Sequence, residues 1–268
     1  MIKVHISFWL AAVAFWVMGL GWDFLMVMVS VTAHELTHIL AAKAFGCKLQ
    51  QLKISALGKI ALINDINNLS FWKRTVVIAA GPACNLLLGI SAWYMGFEIF
   101  GFYNFVLCGF NLLPIFPLDG ARLFQLWAGN MAGVMRANRW VSCTGRVCCV
   151  VLMLLGMIQA VLYAPNFTML FAGFILWRRN RGLLLELTGE FYMAMLNKPV
   201  KLAVRPLPVR ALCAYSGQSL LSIVDNMGWD NVLTVTIPDR DNTVVSELEI
   251  ISHVAEHGPD NTLAALIK

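Results

Sequence analysis

Residues 24–42 form a run of largely apolar side chains, interrupted at its centre by three ionisable ones, His34, Glu35 and His38, in the order His-Glu-Leu-Thr-His. This feature constrains the chain more than any other. An ionisable side chain at the centre of a lipid-embedded helix costs roughly 2.5–3.5 kcal/mol on insertion scales, so such groups gather there only with partners. On a helix His34 and His38 lie one turn apart on one face, and both imidazoles can reach one metal ion. Glu35 stands beside them and can hold a water at that ion without being a ligand. Zn²⁺ suits nitrogen ligands of this kind, and a catalytic zinc site adds a third protein ligand and one open position. The competing reading is a hydrogen-bonded histidine pair in a helix core. The lipid setting favours the metal.

That setting follows from composition. Of 268 residues, 59% are hydrophobic and 13% charged, with a mean hydropathy of +0.71. Soluble domains carry about 25% charged residues. The sequence predicts a polytopic α-helical membrane protein of six spans, near 6–20, 23–45, 75–95, 102–116, 141–163 and 167–177. Charge placement tests this layout. Lys3, the cluster Lys43, Lys48, Lys53, Lys59, Lys73 and Arg74, the group Arg122, Arg136, Arg139 and Arg146, and Arg178, Arg179 and Arg181 all fall on one side. The opposite connections, 21–23, 96–101 and 164–166, hold no Lys or Arg. The positive-inside rule then places the protein in the cell membrane with both termini cytoplasmic. The first apolar segment lacks a small-residue cleavage site and reads as a retained span. The net charge of +5 reflects these basic loops and gives no indication of nucleic-acid binding. The seven cysteines include no CxxC pair, and most sit in apolar stretches as small hydrophobes.

Between the second and third spans, residues 48–63 alternate apolar and polar around Gly58, which predicts a short β-hairpin at the membrane surface. Such a strand edge can pair with an extended substrate segment; the alternative is a plain surface hairpin. The third zinc ligand is sought in Asn111-Leu-Leu-Pro-Ile-Phe-Pro-Leu-Asp-Gly-Ala-Arg, where two prolines end the fourth span. Freed backbone is tolerated at membrane depth only beside protein or a water-filled cavity. Asp119, next to Gly120, can complete a His₂Asp site; its alternative role is a helix N-cap. Asn111 can contact a substrate backbone, or serve as interhelical glue. Gly81-Pro82-Ala83-Cys84-Asn85 marks a break in the third span, where Asn85 can hydrogen-bond near the cleft or simply pack.

HELTH at 34–38, GPACN at 81–85 and NLLPIFPLDG at 111–120 together resemble the site-2 protease family of intramembrane zinc metalloproteases, and the resemblance spans most of residues 1–180. It implies His34, His38 and Asp119 as zinc ligands, Glu35 as the catalytic residue, and Asn111 near the substrate; Asn85 is a further substrate-binding candidate from its own position near the cleft. Six spans, cytoplasmic termini and a C-terminal tail are similar to the sporulation branch, whose members cleave the membrane-associated precursor of a sporulation sigma factor, sigma-K. The lack of a PDZ insertion points away from branches that carry one. The partners implied are that precursor, the lipid bilayer and membrane inhibitor proteins.

The expected division is a membrane-embedded metalloprotease domain over 1–197, a linker over 198–208 and a small α+β domain over 209–268. Residues 178–196 read as an amphipathic helix leaving the membrane. Beyond the linker, helix (219–227), strand (232–237), turn, strand (from 243) and helix (247–257) resemble one cystathionine-β-synthase-type (CBS) repeat. Such modules work in pairs and often bind adenine nucleotides. The resemblance therefore implies ATP as a ligand and a second copy of the chain as a partner. His253 and His257, also one turn apart, have no third ligand and read as a solvated face. Two other functions compete with the protease. A catalytically silent scaffold or sensor of the same fold would not need an intact HExxH with Asp119. A metal transporter would spread ionisable groups along several spans rather than one locus.

Overall fold

The computed structural model describes residues 2–4, 13, 15–47, 49–55, 58–63, 69–162, 167–196, 198, 202, 206–258 and 261–266. The chain forms two compact units, residues 1–113 with 118–123, and residues 114–117 with 124–268. The expected span at 6–20 lies mostly outside the described residues.

In the first unit, strand β1 (Ile2–Val4) is followed by helix α1 (Gly21–Ala44), strands β2 (Leu49–Ser55) and β3 (Gly58–Ile63), and helices α2 (Phe71–Tyr94) and α3 (Glu98–Asn111). β2 and β3 form the expected antiparallel hairpin. β1 adds a third strand, parallel to β2, which local sequence could not reveal because its partner lies some 50 residues on. At 1.5 Å per residue, the 24 residues of α1 and of α2 each reach about 36 Å, enough to cross a ~30 Å hydrocarbon core. The expected break at Gly81-Pro82 does not occur, and α2 runs through Pro82 without interruption. Proline removes one N–H, which costs the Ile78 carbonyl its helical partner, but the flanking turns hold the helix. α3 stops at Asn111, before Pro114, as a proline-terminated helix should. It packs on α2 through glycine: Phe105 lies over Gly89, and Gly101 comes close to the Gly89 carbonyl. It meets α1 through polar pairs, Tyr103 Oη donating to Asp23 Oδ1 (2.6 Å) and Asn104 Nδ2 to Ser30 Oγ (2.9 Å). Helix α4 (Asp119–Ala132) starts in this unit.

In the second unit, α5 (Val134–Leu162) begins seven residues before the expected 141, because Arg136 and Arg139 belong to a helix rather than a loop. α6 (Thr168–Asn180) packs on α5. Asn180 Nδ2 donates to the carbonyls of Phe116 (2.7 Å) and Leu176 (2.8 Å), holding the 114–117 segment. The expected single helix over 178–196 is two: Gly182, with φ +94°, separates α6 from α7 (Leu183–Leu196). Among the described residues, α1, α2 and α5 are long and apolar enough to cross a membrane.

The C-terminal part holds β4 (Val209–Cys213), α8 (Leu220–Val224), β5 (Val232–Ile237), β6 (Thr243–Ser246), α9 (Glu247–His257) and a 3₁₀ turn (Leu263–Leu266). β5 is central, parallel to β4 and antiparallel to β6. Its alternation buries Leu233, Val235 and Ile237. A capping box between Ser246 and Glu249 starts α9. The core beneath also takes in Val134 and Met135 of α5 and Phe191 and Met195 of α7. Lys198, 5% exposed, inserts among these elements, donating to Glu247 Oε1 (2.5 Å) and the Gly228 carbonyl (2.9 Å), while Glu247 Oε2 accepts from the Leu233 N–H (2.8 Å).

Removing one member of a buried ion pair leaves an uncompensated charge, at a cost of about 3–5 kcal/mol. Glu247→Ala should therefore lower the melting temperature of the detergent-solubilised protein, and the double variant Lys198→Met/Glu247→Leu should regain most of the loss. A single variant that melts like the wild type would show that the pair does not hold this core.

Candidate metal centre

The centre is assembled from three helices of the first unit. α1 presents His34 and His38 one turn apart, His34 only 4% exposed. α2 lies against them: His38 Nδ1–H donates to the Val77 carbonyl at 2.7 Å. That bond fixes the tautomer and leaves the His38 Nε2 lone pair unprotonated for the centre. Asp119, first residue of α4 and 8% exposed, brings Oδ2 to 3.0 Å from His34 Nε2 and 3.0 Å from His38 Nε2. The two Nε2 atoms are 3.1 Å apart. Asp119 is thus the third corner of the site, and its Oδ2 is engaged by imidazoles.

Two glycines make this convergence possible. A Cβ on Gly81 would lie 2.3 Å from His38 Nε2 and 2.6 Å from His34 Nε2. A Cβ on Gly120 would lie 2.1 Å from the Leu112 carbonyl oxygen and 2.6 Å from that of Leu113. Gly120 therefore lets the start of α4 fold back onto the end of α3, which aims Asp119 inward. The sequence pointed to the GPACN stretch, but as a helix break and packing site. That Gly81 faces the imidazoles was not legible there, because a glycine carries no mark of what it faces.

The donor set fits zinc. With His38 Nδ1 holding its proton, Nε2 is an acceptor, and so is the Asp119 carboxylate. Acceptors 3.0 Å apart repel unless a cation or proton lies between them. Ligand bonds of ~2.0–2.1 Å in a tetrahedron hold ligand atoms about 3.3 Å apart, close to the separations here. His34, His38 and Asp119 are the one group of His, Cys, Asp or Glu among the described residues that could hold a metal ion. His253 and His257 stack at 4.5 Å without a third ligand, as expected of a surface pair.

Glu35, half-buried on the same turn, has His38, His34, Asp119 and Arg122 as its electrostatic neighbours. Asn111 ends α3, its Nδ2 donating to the Leu107 carbonyl at 3.0 Å. Asn85 is fully buried on α2, one turn beyond Gly81.

Comparison with known proteins agrees with this geometry. The profile of peptidase family M50 matches residues 23–100 and 91–155, which contain every residue of the centre. A zinc metalloprotease of Methanocaldococcus jannaschii is 26% identical over 179 residues, covering 59% of this chain and 51% of that protein. Stage IV sporulation protein FB of Bacillus subtilis is 29% identical over 147 residues, covering 52% of this chain and 51% of that protein. The chain thus spans about half the length of these curated relatives. The solved site-2 protease from Methanocaldococcus jannaschii superposes with a TM-score of 0.53 over 68% of this chain and 90% of that one, at 22% identity, a likeness of fold.

Gly81→Ala favours the helix by roughly 0.5–1 kcal/mol yet puts a methyl where the two Nε2 atoms sit. The purified variant should keep its helical circular dichroism and lose most of its zinc by elemental analysis. Wild-type zinc content in that variant would show that the rings have room elsewhere.

Proposed function

Because the chain belongs to peptidase family M50, the site-2 protease family, we propose that it is an intramembrane zinc metalloprotease, hydrolysing a peptide bond in or near the membrane segment of a regulatory protein. The observation that carries this reading is the meeting of His34 Nε2, His38 Nε2 and Asp119 Oδ2 within 3.0–3.1 Å. These three side chains would hold the ion. When bound, zinc supplies a Lewis acid that makes a water nucleophilic near neutral pH and polarises a carbonyl.

The remaining steps belong to the chain's own residues. Glu35 takes the proton from the attacking water and passes it to the leaving amine. Val77 holds His38 in the tautomer that presents Nε2. A helical substrate hides its amides in its own hydrogen bonds, so it must unwind before cleavage, and the free edge of β3 can pair with the unwound stretch. Asn111, where α3 ends, is the residue we assign to the substrate backbone.

The finer reading rests on resemblance to the sporulation branch. It gives six spans with both termini cytoplasmic, a sigma-factor precursor such as that of sigma-K as substrate, and membrane inhibitor proteins as regulators. It also carries the division at 197 and 209, and a CBS-like module at 209–268 taking ATP and pairing with a second copy of the chain. The order β4-α8-β5-β6-α9 supports an α+β module there.

Glu35→Gln should retain one zinc per chain while cleavage of a co-expressed membrane-tethered sigma-factor precursor falls by about 10²–10⁴. His34→Ala should lose both zinc and cleavage. Turnover by a clean Glu35→Gln preparation would refute the assigned base. Cleavage of other membrane substrates but not of the precursor would refute the substrate and leave the reaction class standing.

A further inference from the structure

Both imidazoles present Nε2 to the centre, but their outer nitrogens differ. His38 Nδ1 is satisfied by the Val77 carbonyl. His34 Nδ1 is buried without a hydrogen-bond partner. A ligating histidine almost always donates its outer N–H to an acceptor that fixes its tautomer and its angle. A second buried side chain close by is equally unmatched. Asn85 is 0% exposed, and both Oδ1 and Nδ2 lack partners. It sits one turn C-terminal to Gly81, the position that faces both imidazoles. Helical side chains lean over the turn N-terminal to their own Cα, which for Asn85 is the turn of Gly81, the residue set against both imidazoles. An apolar core does not leave two such polar groups unsatisfied without cost, so each calls for a partner.

We propose that Asn85 is the positioning residue for His34: its Oδ1 accepts the His34 Nδ1–H, directly or through one buried water, and holds Nε2 toward the metal. The assignment rests on the zinc-protease reading of the site. It gives each histidine its own outer partner on α2, a backbone carbonyl for His38 and a side-chain amide for His34. It also explains a polar residue at a wholly buried point of the α2 face, between Gly81 against the imidazoles and Gly89 against Phe105. Among the described residues of this unit, Asn104 Oδ1 on α3 is the other unpartnered buried amide oxygen. Its Nδ2, however, is spent on Ser30 and on the Phe100 carbonyl, which commits that side chain to the α1–α3 contact.

The test uses the full chain in detergent, comparing wild type, Asn85→Leu, Asn85→Asp, Asn104→Leu and His34→Ala. Leu conserves volume and removes both polar atoms, so a residue that only packs tolerates it. Zinc affinity is measured by chelator competition, and site geometry by the visible spectrum of the cobalt-substituted protein. Asn85→Leu should melt no lower than wild type, bind zinc 10–100-fold more weakly and show an altered cobalt spectrum. Asn85→Asp, which keeps an acceptor, should restore much of the affinity. Wild-type affinity and an unchanged spectrum in Asn85→Leu would overturn the proposal. So would a loss confined to Asn104→Leu, which would move the role to α3. Absence of zinc binding by the wild type, or its persistence in His34→Ala, would instead overturn the metal site on which the inference stands.

Discussion

An apolar helix bundle cannot leave ionisable groups unpartnered, and in this chain that rule is met by bringing three of them to one point. His34, His38 and Asp119 come from residues as much as 85 positions apart, yet their ligand atoms lie 3.0–3.1 Å from one another. Two imidazole nitrogens and a carboxylate oxygen so close are unfavourable by themselves. The arrangement makes physical sense as a receptor for a cation, whose charge turns mutual repulsion into coordination. The surrounding elements serve this point. α1 supplies the one-turn spacing, α2 the Val77 carbonyl, and the proline-ended α3 the reversal that delivers α4.

Close backbone approach is the second requirement, and glycine meets it twice. At Gly81 the missing methyl leaves room for both imidazole edges; at Gly120 it lets α4 begin beneath the carbonyls of Leu112 and Leu113. A side chain at either place would separate elements that must touch. In a lipid-embedded bundle, where lipid tails are as apolar as leucine, such close contacts supply much of the association between helices. The same positions that let the bundle close therefore also shape the centre, which is why the GPACN and PLDG stretches stand out beside HELTH.

The convergence of His34, His38 and Asp119 was legible in the sequence where chemistry and local period coincide. His34 and His38 announce themselves by spacing on a helix, and Asp119 by following two prolines and preceding a glycine. The hairpin at 49–63 and the strand–turn–strand at 232–246 follow from alternation. What sequence hid depends on distant partners. The short β1 gains its identity from β2. Arg136 and Arg139 looked like a basic loop, whereas they extend α5, and Arg139 pairs with Asp225 at 2.6 Å, 86 residues away. Pro82 read as a break because local preference says so, but α2 continues through it to Tyr94. The outer partner of His34 was hidden for a similar reason: Asn85 could be seen, but not the helix it faces.

The attachment of the C-terminal module follows the same hierarchy of forces. The pair between Arg139 and Asp225 is partly exposed, and such pairs contribute about 0–1 kcal/mol. The buried side chains weigh more: Phe191 of α7 and Val134 of α5 are 0% exposed within the module's core, and each fully buried side chain of this size contributes about 1.5–3 kcal/mol. The Val134 N–H donates to the Met227 carbonyl, and Gly133, with φ +91°, lets the Asp225 carbonyl approach to where a Cβ would stand. Lys198 then closes the core through Glu247. Separating this module from α5 and α7 would expose several large apolar side chains and strand a buried charge. It is therefore joined to α5 and α7 of its own unit by a shared core, and a change at β5 or α9 bears directly on the first turn of α5.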